Sequence, residues 1–322
     1  MPIRKSIPAI ILLTLALAAG GLFVSGCSND TSGQEDPPLF GMGAPVSTYV
    51  FDMAWGTQGS LPGQFLKPYG IFADESFVYV PDYGNNRVQK FDIKGNFVLE
   101  WGSSGSGAGQ FIGPTDIAAD RQGFIYVLDM RAVQKFDENG QFYARWGSDQ
   151  FVNPKGVAVD SAGIIYVVES SRAQVRKLSP NGEFVQDWGS FGSGDGQLNM
   201  PFGIAIDSQD AVYVADTMNN RIQKFDTAGN YLGQWGSAGP EDGQFLRPMD
   251  VDVSSSGMVC VTDYLNHRVQ IFDAQGSFAG KVGSQGGGEG QLQSPMGACF
   301  NPGEDIFVMD TMNNRVQKFV RK

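Results

Sequence analysis

An all-β chain of six four-stranded units closed into a ring is the fold that the sequence predicts, and three observations predict it. The first is the stretch Pro201 to Gly236, PFGIAIDSQDAVYVADTMNNRIQKFDTAGNYLGQWG, in which four short β-type runs (Gly203–Asp207, Val212–Asp216, Arg221–Asp226 and Tyr231–Trp235) are separated by Gly, Asp and Asn clusters. The second is recurrence. Trp55, Trp101, Trp146, Trp188 and Trp235 each precede a Gly, and Val282-Gly283 takes that place at a sixth unit. The spacings, about 42 to 47 residues, are those of arrays of four-stranded propeller blades. The third is a mismatch at the two ends. The last unit has only three strands, Ala298–Asn301, Ile306–Asp310 and Arg315–Val320, while Thr48–Trp55 is a strand without a unit and ends in Trp-Gly. That N-terminal strand is expected to complete blade six and lock a six-bladed β-propeller, leaving only short protected edges.

The elements follow in order. Blade one has strands at Gly70–Asp74, Val78–Asp82, Arg87–Asp92 and Phe97–Trp101. Blade two is Asp116 to Trp146, blade three Gly156 to Trp188, blade four Gly203 to Trp235 and blade five Asp250 to Val282. Strand residues alternate faces. In the second strands Tyr79, Tyr126, Tyr166, Tyr213, Cys260 and Phe307 are equivalent; in the first strands Ala118, Ala158 and Ala205 are equivalent and small. Large residues of one blade are therefore expected to pack on small ones of the next, as core. Cys260 and Cys299, on neighbouring blades, are expected to pack as free thiols rather than as a disulfide.

The N-terminus is an address. Arg4 and Lys5 precede an apolar run from Ala9 to Val24, a signal-peptide pattern too short for a membrane span. Val24-Ser25-Gly26-Cys27 resembles the lipobox of bacterial lipoproteins. The resemblance implies removal of residues 1–26, lipids on Cys27, and anchoring to a membrane outside the cytoplasm. Ser28, where an Asp would signal inner-membrane retention, favours the periplasmic side of the outer membrane in a two-membrane cell. Residues 27–46, rich in Ser, Gly, Pro, Asp and Glu, read as a tether, and residues 47–322 as the propeller.

Composition narrows the partners. The formal net charge is −11, and loss of Arg4 and Lys5 would make the remainder more acidic, so a nucleic-acid backbone is repelled overall. Three Cys are too few for a disulfide-rich scaffold, and His267 is the single His. The Gly-rich runs at Gly105–Gly109, Gly192–Gly196 and Gly286–Gly290 lack the Lys-Ser/Thr of a phosphate loop and open no helix.

The repeated pattern G-Q-x-x-x-P-x-G-I-A-x-D…Y-V-A-D-x-x-N-N-R-I-Q-K-F-D resembles NHL repeats from about Thr48 to Lys322. Its Asp-x-x-Asn-x-Arg core is intact in four blades. The residues are Asp82, Asn85 and Arg87 in blade one, and Asp216, Asn219 and Arg221 in blade four. They are Asp263, Asn266 and Arg268 in blade five, and Asp310, Asn313 and Arg315 in blade six. Blade two shortens the core to Asp129-Met130-Arg131-Ala132, and blade three has Glu169-Ser170-Ser171-Arg172. The family spans RNA- and protein-binding modules, a ubiquitin-ligase subgroup, a peptide-amidating lyase and sensor domains, and fold does not choose among them. The ligase and zinc chemistries need Cys/His series that this chain lacks.

Propeller topology sends the fourth-to-first loops and the Asp-x-x-Asn-x-Arg turns to one face. Asp accepts turn N–H groups, Asn tolerates positive φ and Arg pairs with the carboxylate, so these turns read as a structural device, with a Ca²⁺ ring as the weaker alternative and no other cofactor expected. Binding residues are sought on the long loops of that face. Around each Pro that introduces an inner strand stand Lys67, Tyr69, Thr115, Lys155, Phe202, Arg247, Met249 and Met296, the candidate ring of the channel mouth. Asp116 and Asp250 occupy positions that are Gly in the other four blades, the most site-like departure in the chain. The function expected is a monomeric, lipid-anchored, non-enzymatic module that binds an envelope protein, peptide or glycan. The alternative is an envelope hydrolase or lyase with a Ca²⁺-dependent or carboxylate-based site at the channel mouth.

Overall fold

The computed structural model describes residues 48–147 and 150–322. The signal peptide, Cys27 and the tether lie outside the described residues. Six four-stranded antiparallel sheets are present. Blade one comprises Phe72–Ala73, Phe77–Asp82, Arg87–Asp92 and Phe97–Trp101. Blades two and three run from Asp116–Ala119 to Phe142–Trp146 and from Pro154–Val159 to Phe184–Trp188. Blades four and five run from Ile204–Ile206 to Tyr231–Trp235 and from Pro248–Val253 to Phe278–Val282. Blade six joins Gly297–Phe300, Ile306–Asp310 and Arg315–Arg321 to the N-terminal strand Tyr49–Trp55. Tyr49 lies opposite Arg321 and Trp55 opposite Val316, so the ring closes with one strand from the far end of the propeller.

The first strand of blade one is shorter than its sequence suggests. Its Gly70 N–H does not join its own sheet but bonds the Thr115 carbonyl of blade two at 3.0 Å. Each Gly-rich loop also folds back on itself, which the sequence reading did not anticipate. Thr57–Gln58 pairs in parallel with Gln64–Phe65, and single bridges recur at Ser104 with Phe111, Phe191 with Leu198, Ala238 with Phe245 and Gln285 with Leu292. The residue after each Gly-Gln, such as Phe65, Phe111, Leu198 or Phe245, is fully buried as the plug of its loop. A side chain of that size stabilises by about 1.5–3 kcal/mol when removed from water.

The core lies between blades. One apolar cluster, for example, joins Tyr79 and Val88 of blade one to Ile117, Ile125 and Phe136 of blade two. Cys260 and Cys299 are both buried and unbridged. The Trp-Gly rhythm has a packing cause. A Cβ on Gly95, Gly140, Gly182, Gly229 or Gly276 would strike the ring of Trp55, Trp101, Trp146, Trp188 or Trp235, respectively. Each outer-strand Trp thus lies on the third-to-fourth turn of the next blade. Blade six has no such turn, because its third and fourth strands come from opposite ends of the propeller sequence. There is no turn glycine for a sixth Trp to cover, and the position is Val282.

This contact can be isolated with two glycines of similar backbone. Gly229 (φ +82) would place a Cβ 2.5 Å from Trp188, whereas Gly163 (φ +80) would place it 3.6 Å from Pro180. Gly163→Ala is expected to destabilise by about 1 kcal/mol, the cost of left-handed backbone. Gly229→Ala should cost about 1–3 kcal/mol more from overpacking. Urea denaturation of both variants checks this; equal losses would mean that Trp188 does not rest on that turn.

Candidate functional site

Four blades share one clamp between turn and loop. In blade four Asp216, fully buried, accepts the Arg221 Nε–H at 2.8 Å and the Asn219 Nδ2–H at 2.8 Å. Arg221 Nη2 donates to the carbonyls of Gly194 and Gln197, both at 2.8 Å, and Gln223 Nε2 donates to Gln197 O at 2.6 Å and to Asp216 at 3.0 Å. Three further blades repeat the arrangement. In blade one Asp82 accepts from Asn85, Arg87 and Gln89. In blade five Asp263 accepts from Asn266, Arg268 and Gln270. In blade six Asp310 accepts from Asn313, Arg315 and Gln317. Carboxylate oxygens already taken by N–H donors offer little to a Ca²⁺ ion. Among the described residues, no three His, Cys, Asp or Glu side chains converge closely enough to hold a metal. Blade two instead closes a shorter turn, with Asp129 accepting the N–H of Arg131 and Ala132, both at 2.8 Å. Blade three pairs the buried Glu169 with Arg172 at 2.8 Å and Arg176 at 3.4 Å.

One detail of the turn differs from the sequence expectation. The core asparagines Asn85, Asn219, Asn266 and Asn313 do not supply the positive φ; each closes a three-residue 3₁₀ turn. Their amides are needed as donors. Each Nδ2 reaches both the clamp carboxylate and a loop carbonyl, at Gly59, Gly192, Gly239 and Gly286 respectively.

The left-handed residue is the next one, and it stitches its blade to the following loop. Asn86, Asn220 and Asn314 Oδ1 accept the N–H of Gly113, Arg247 and Lys67 at 2.8, 2.9 and 3.0 Å. His267 holds the same place (φ 54), and its Nδ1 accepts the Ser294 N–H at 2.9 Å. The single histidine therefore stands in for an asparagine. Lys67 and Arg247 take part through their backbone, and both residues are exposed at these blade junctions rather than in the mouth.

Along the axis runs a lumen of about 180 Å³, walled by inner-strand residues such as Ile71, Ile204 and Cys299. Asp116 and Asp250 open into it. Asp116 Oδ2 accepts the Val157 N–H of blade three at 2.8 Å, and Asp250 Oδ2 accepts the Ala298 N–H of blade six at 3.1 Å. On their other sides, a Cβ on Gly70 would come within 2.6 Å of Asp116 Oδ1, and one on Gly203 within 2.5 Å of Asp250 Oδ1. The glycines of blades one and four thus make room for the aspartates of blades two and five, three blades apart on the ring. A third lumen carboxylate, Asp252, accepts the Phe300 N–H at 2.8 Å. It was not among the sequence candidates, although its spacing of two from Asp250 on one strand puts both on the same face.

At the loop face the lumen narrows to a mouth of about 10 Å³ lined by Tyr69, Thr115, Lys155, Phe202 and Met296, with Asp116 and Asp250 beneath. Met249, expected in this ring, is instead buried and does not line the mouth. Lys155 Nζ lies 5.5 Å from the Phe202 ring centroid, and burial pushes its ammonium value down. Tyr69 stacks on Tyr83 at 4.6 Å.

Burial pushes the three lumen carboxyls up, Asp252 to about 6. For Asp250 the charge of Asp116 adds to burial; N–H bonds oppose it in all three. The folded chain therefore holds protons that the unfolded chain releases near the ordinary value of 3.8. The resulting stability is fully present below that value and is lost as pH rises through the native values. The thermal midpoint should fall between about pH 4 and pH 8. An Asp116→Asn, Asp250→Asn double variant, which keeps an acceptor for each N–H, should show a shallower fall at constant ionic strength. Parallel slopes would show that the lumen does not carry the effect.

Comparison with known proteins places this geometry. The NHL repeat family model matches residues 198–225 and 245–272. No curated relative matches the chain. Among solved structures, a gluconolactonase from Xanthomonas campestris superposes with a TM-score of 0.61 at 16% identity, over 87% of this chain and 99% of that one. A catalytically inactive variant of virginiamycin B lyase from Staphylococcus aureus, with quinupristin, gives 0.58 at 14%, over 85% and 98%. An auxiliary nutrient binding protein from Bacteroides thetaiotaomicron gives 0.59 at 14%, over 80% and 69%. At these identities the likeness is one of fold, shared by enzymes and binding proteins. With its recurring Asp-x-x-Asn-x-Arg turns and its ring of six four-stranded sheets, the chain is a six-bladed β-propeller that carries NHL repeats in blades four and five.

Proposed function

We propose that the chain is a non-enzymatic binding module that presents its loop face to a protein or peptide of the cell envelope, and that it is held at a membrane by lipids on Cys27. The observation that carries the reading is where the exposed large apolar side chains fall. Leu61, Met130, Val152, Phe191, Met200, Met218, Leu265 and Met312 all sit in loops or turns of that face. The remaining ones, such as Phe97, Tyr143 and Phe184, lie on outer strands, and the first-to-second turns of the opposite face carry none among the described residues. Single exposed hydrophobes are ordinary, whereas their segregation to one face marks an interaction surface. Four are methionines, whose unbranched, polarisable side chains adapt to varied partners.

The chemistry of the channel supports the same reading over turnover. Asp116 and Asp250 lie under a tight mouth, each with an oxygen engaged by the backbone of a neighbouring blade. His267, the one imidazole, serves a structural bond. The acidic chain and its envelope address both disfavour nucleic acid.

Photo-crosslinking in intact cells tests the reading. A photoreactive residue at Met218, Leu265 or Met312 should trap a discrete partner, while one at Ser208 or Gln275 on the opposite face should not. Equal trapping from both faces, or trapping from the opposite face alone, would contradict it.

A further inference from the structure

The loop-face mouth holds one unpaired charge. The residue after each inner-strand Pro supplies one side chain per blade: Tyr69, Thr115, Lys155, Phe202, Met249 and Met296. Five of them line the mouth, and Lys155 is the one cation there. Among the described residues, no carboxylate lies within ion-pair distance of its Nζ, and its contact is the Phe202 ring. The nearest acids of the lining, Asp116 and Asp250, lie one layer deeper and are bound to the Val157 and Ala298 N–H groups. Removing an ammonium from water without an anion beside it is costly, and a ligand that brings the anion recovers that cost. Around it, Tyr69, Phe202 and Met296 offer apolar and aromatic surface, and Tyr69 is held in place by its stack on Tyr83.

We propose that the loop-face mouth is a carboxylate-binding site, in which Lys155 takes the anionic group of a ligand whose apolar body rests on Tyr69, Phe202 and Met296. The inference rests on the loop-face reading above and names the chemistry that its centre selects. The ligand is a carboxylate on a hydrophobic body, either the C-terminus of a polypeptide or a small organic acid. Its charge lies above Asp116 and Asp250, so their protonation removes repulsion from below and binding should tighten as pH falls through the neutral range. The attraction should weaken with added salt, as that of a partly exposed charge does.

The test uses the full chain and matched probes. A fluorescent hexapeptide ending in Leu-Met-Phe with a free carboxylate is compared by anisotropy with its C-terminal amide; 4-phenylbutyrate and 4-phenylbutyramide serve as competitors. The acid should bind about tenfold tighter than the amide, the scale of one charge-assisted hydrogen bond. Lys155→Gln should bring the acid to the affinity of the amide, and Lys155→Arg should keep the preference. Because the Lys155 amine makes no hydrogen bond among the described residues and is partly removed from water, neither variant should melt below the wild type. Competition by 4-phenylbutyrate at the concentration of the peptide would assign a small acid; a clear advantage of the peptide would assign a chain terminus. Both results support the site. Equal binding of acid and amide, a preference that survives Lys155→Gln, or no binding of any probe would overturn it. The loop-face reading would then still stand or fall on its own cross-links.

Discussion

The structure depends on a buried guanidinium. In four blades the arginine that opens the third strand pairs with a fully buried aspartate that ends the second, and its Nη2 donates to carbonyls of the Gly-rich loop. One side chain thereby fixes a turn and the loop that leads into the inner strand of its own blade. A buried pair of this kind is no net gain over well-packed apolar residues, but losing one partner costs about 3–5 kcal/mol. Its value is positional. Four loops of flexible composition, which bend through left-handed backbone both at glycines and at Lys67, Met200, Arg247 and Ser294, are held in one shape, and a surface already ordered loses less entropy when it binds. Blades two and three solve the same problem with a shorter turn at Asp129 and with Glu169 between two arginines. The loop face therefore has a repeated sector and a divergent one.

The same economy of space shapes the axis. Inner strands leave one edge toward the lumen, and their N–H groups need acceptors there. Asp116, Asp250 and Asp252 supply three of them from the neighbouring blade. The arrangement fits because Gly70 and Gly203 leave room for two of these side chains. The lumen is thus a polar seam with its carboxyls pushed up by burial, and the chemistry open to a partner lies above it, at Lys155 and the aromatic rim.

Much of this was legible in the chain. The blade repeat, the ring closure by Tyr49–Trp55 and the NHL core were legible because each recurs in register or completes a count. The pairing of Arg87, Arg221, Arg268 and Arg315 with their aspartates followed from that recurrence. The split of labour between adjacent asparagines did not, since Asn85 as a donor and Asn86 as the left-handed residue are alike in composition. Asp116 and Asp250 stood out as departures from glycine. Their depth did not, since residue order carries no measure of how tightly six inner strands crowd an axis. Met249 fell in the predicted ring but is buried and does not line the mouth, which its place after Pro248 did not reveal. Asp252 could have been read from its alternation with Asp250. The segregation of exposed methionines to one face was not legible, because exposure at a turn depends on how far the neighbouring loop rises. The absence of a sixth Trp was visible in the sequence, and its reason became so only with the turns in place.

The central claim is that the guanidinium clamps make the loop face a rigid platform, and amide hydrogen exchange tests it most directly. The N–H groups of Gly63, Gly196, Gly243 and Gly290 donate to the clamp glutamines Gln89, Gln223, Gln270 and Gln317 at 2.8–2.9 Å. The account predicts that these loop amides exchange as slowly as those of the buried second strands. Exchange as fast as that of the exposed turn around Ser208 and Gln209 would show that the loops are loose, and would contradict the platform on which the binding role rests.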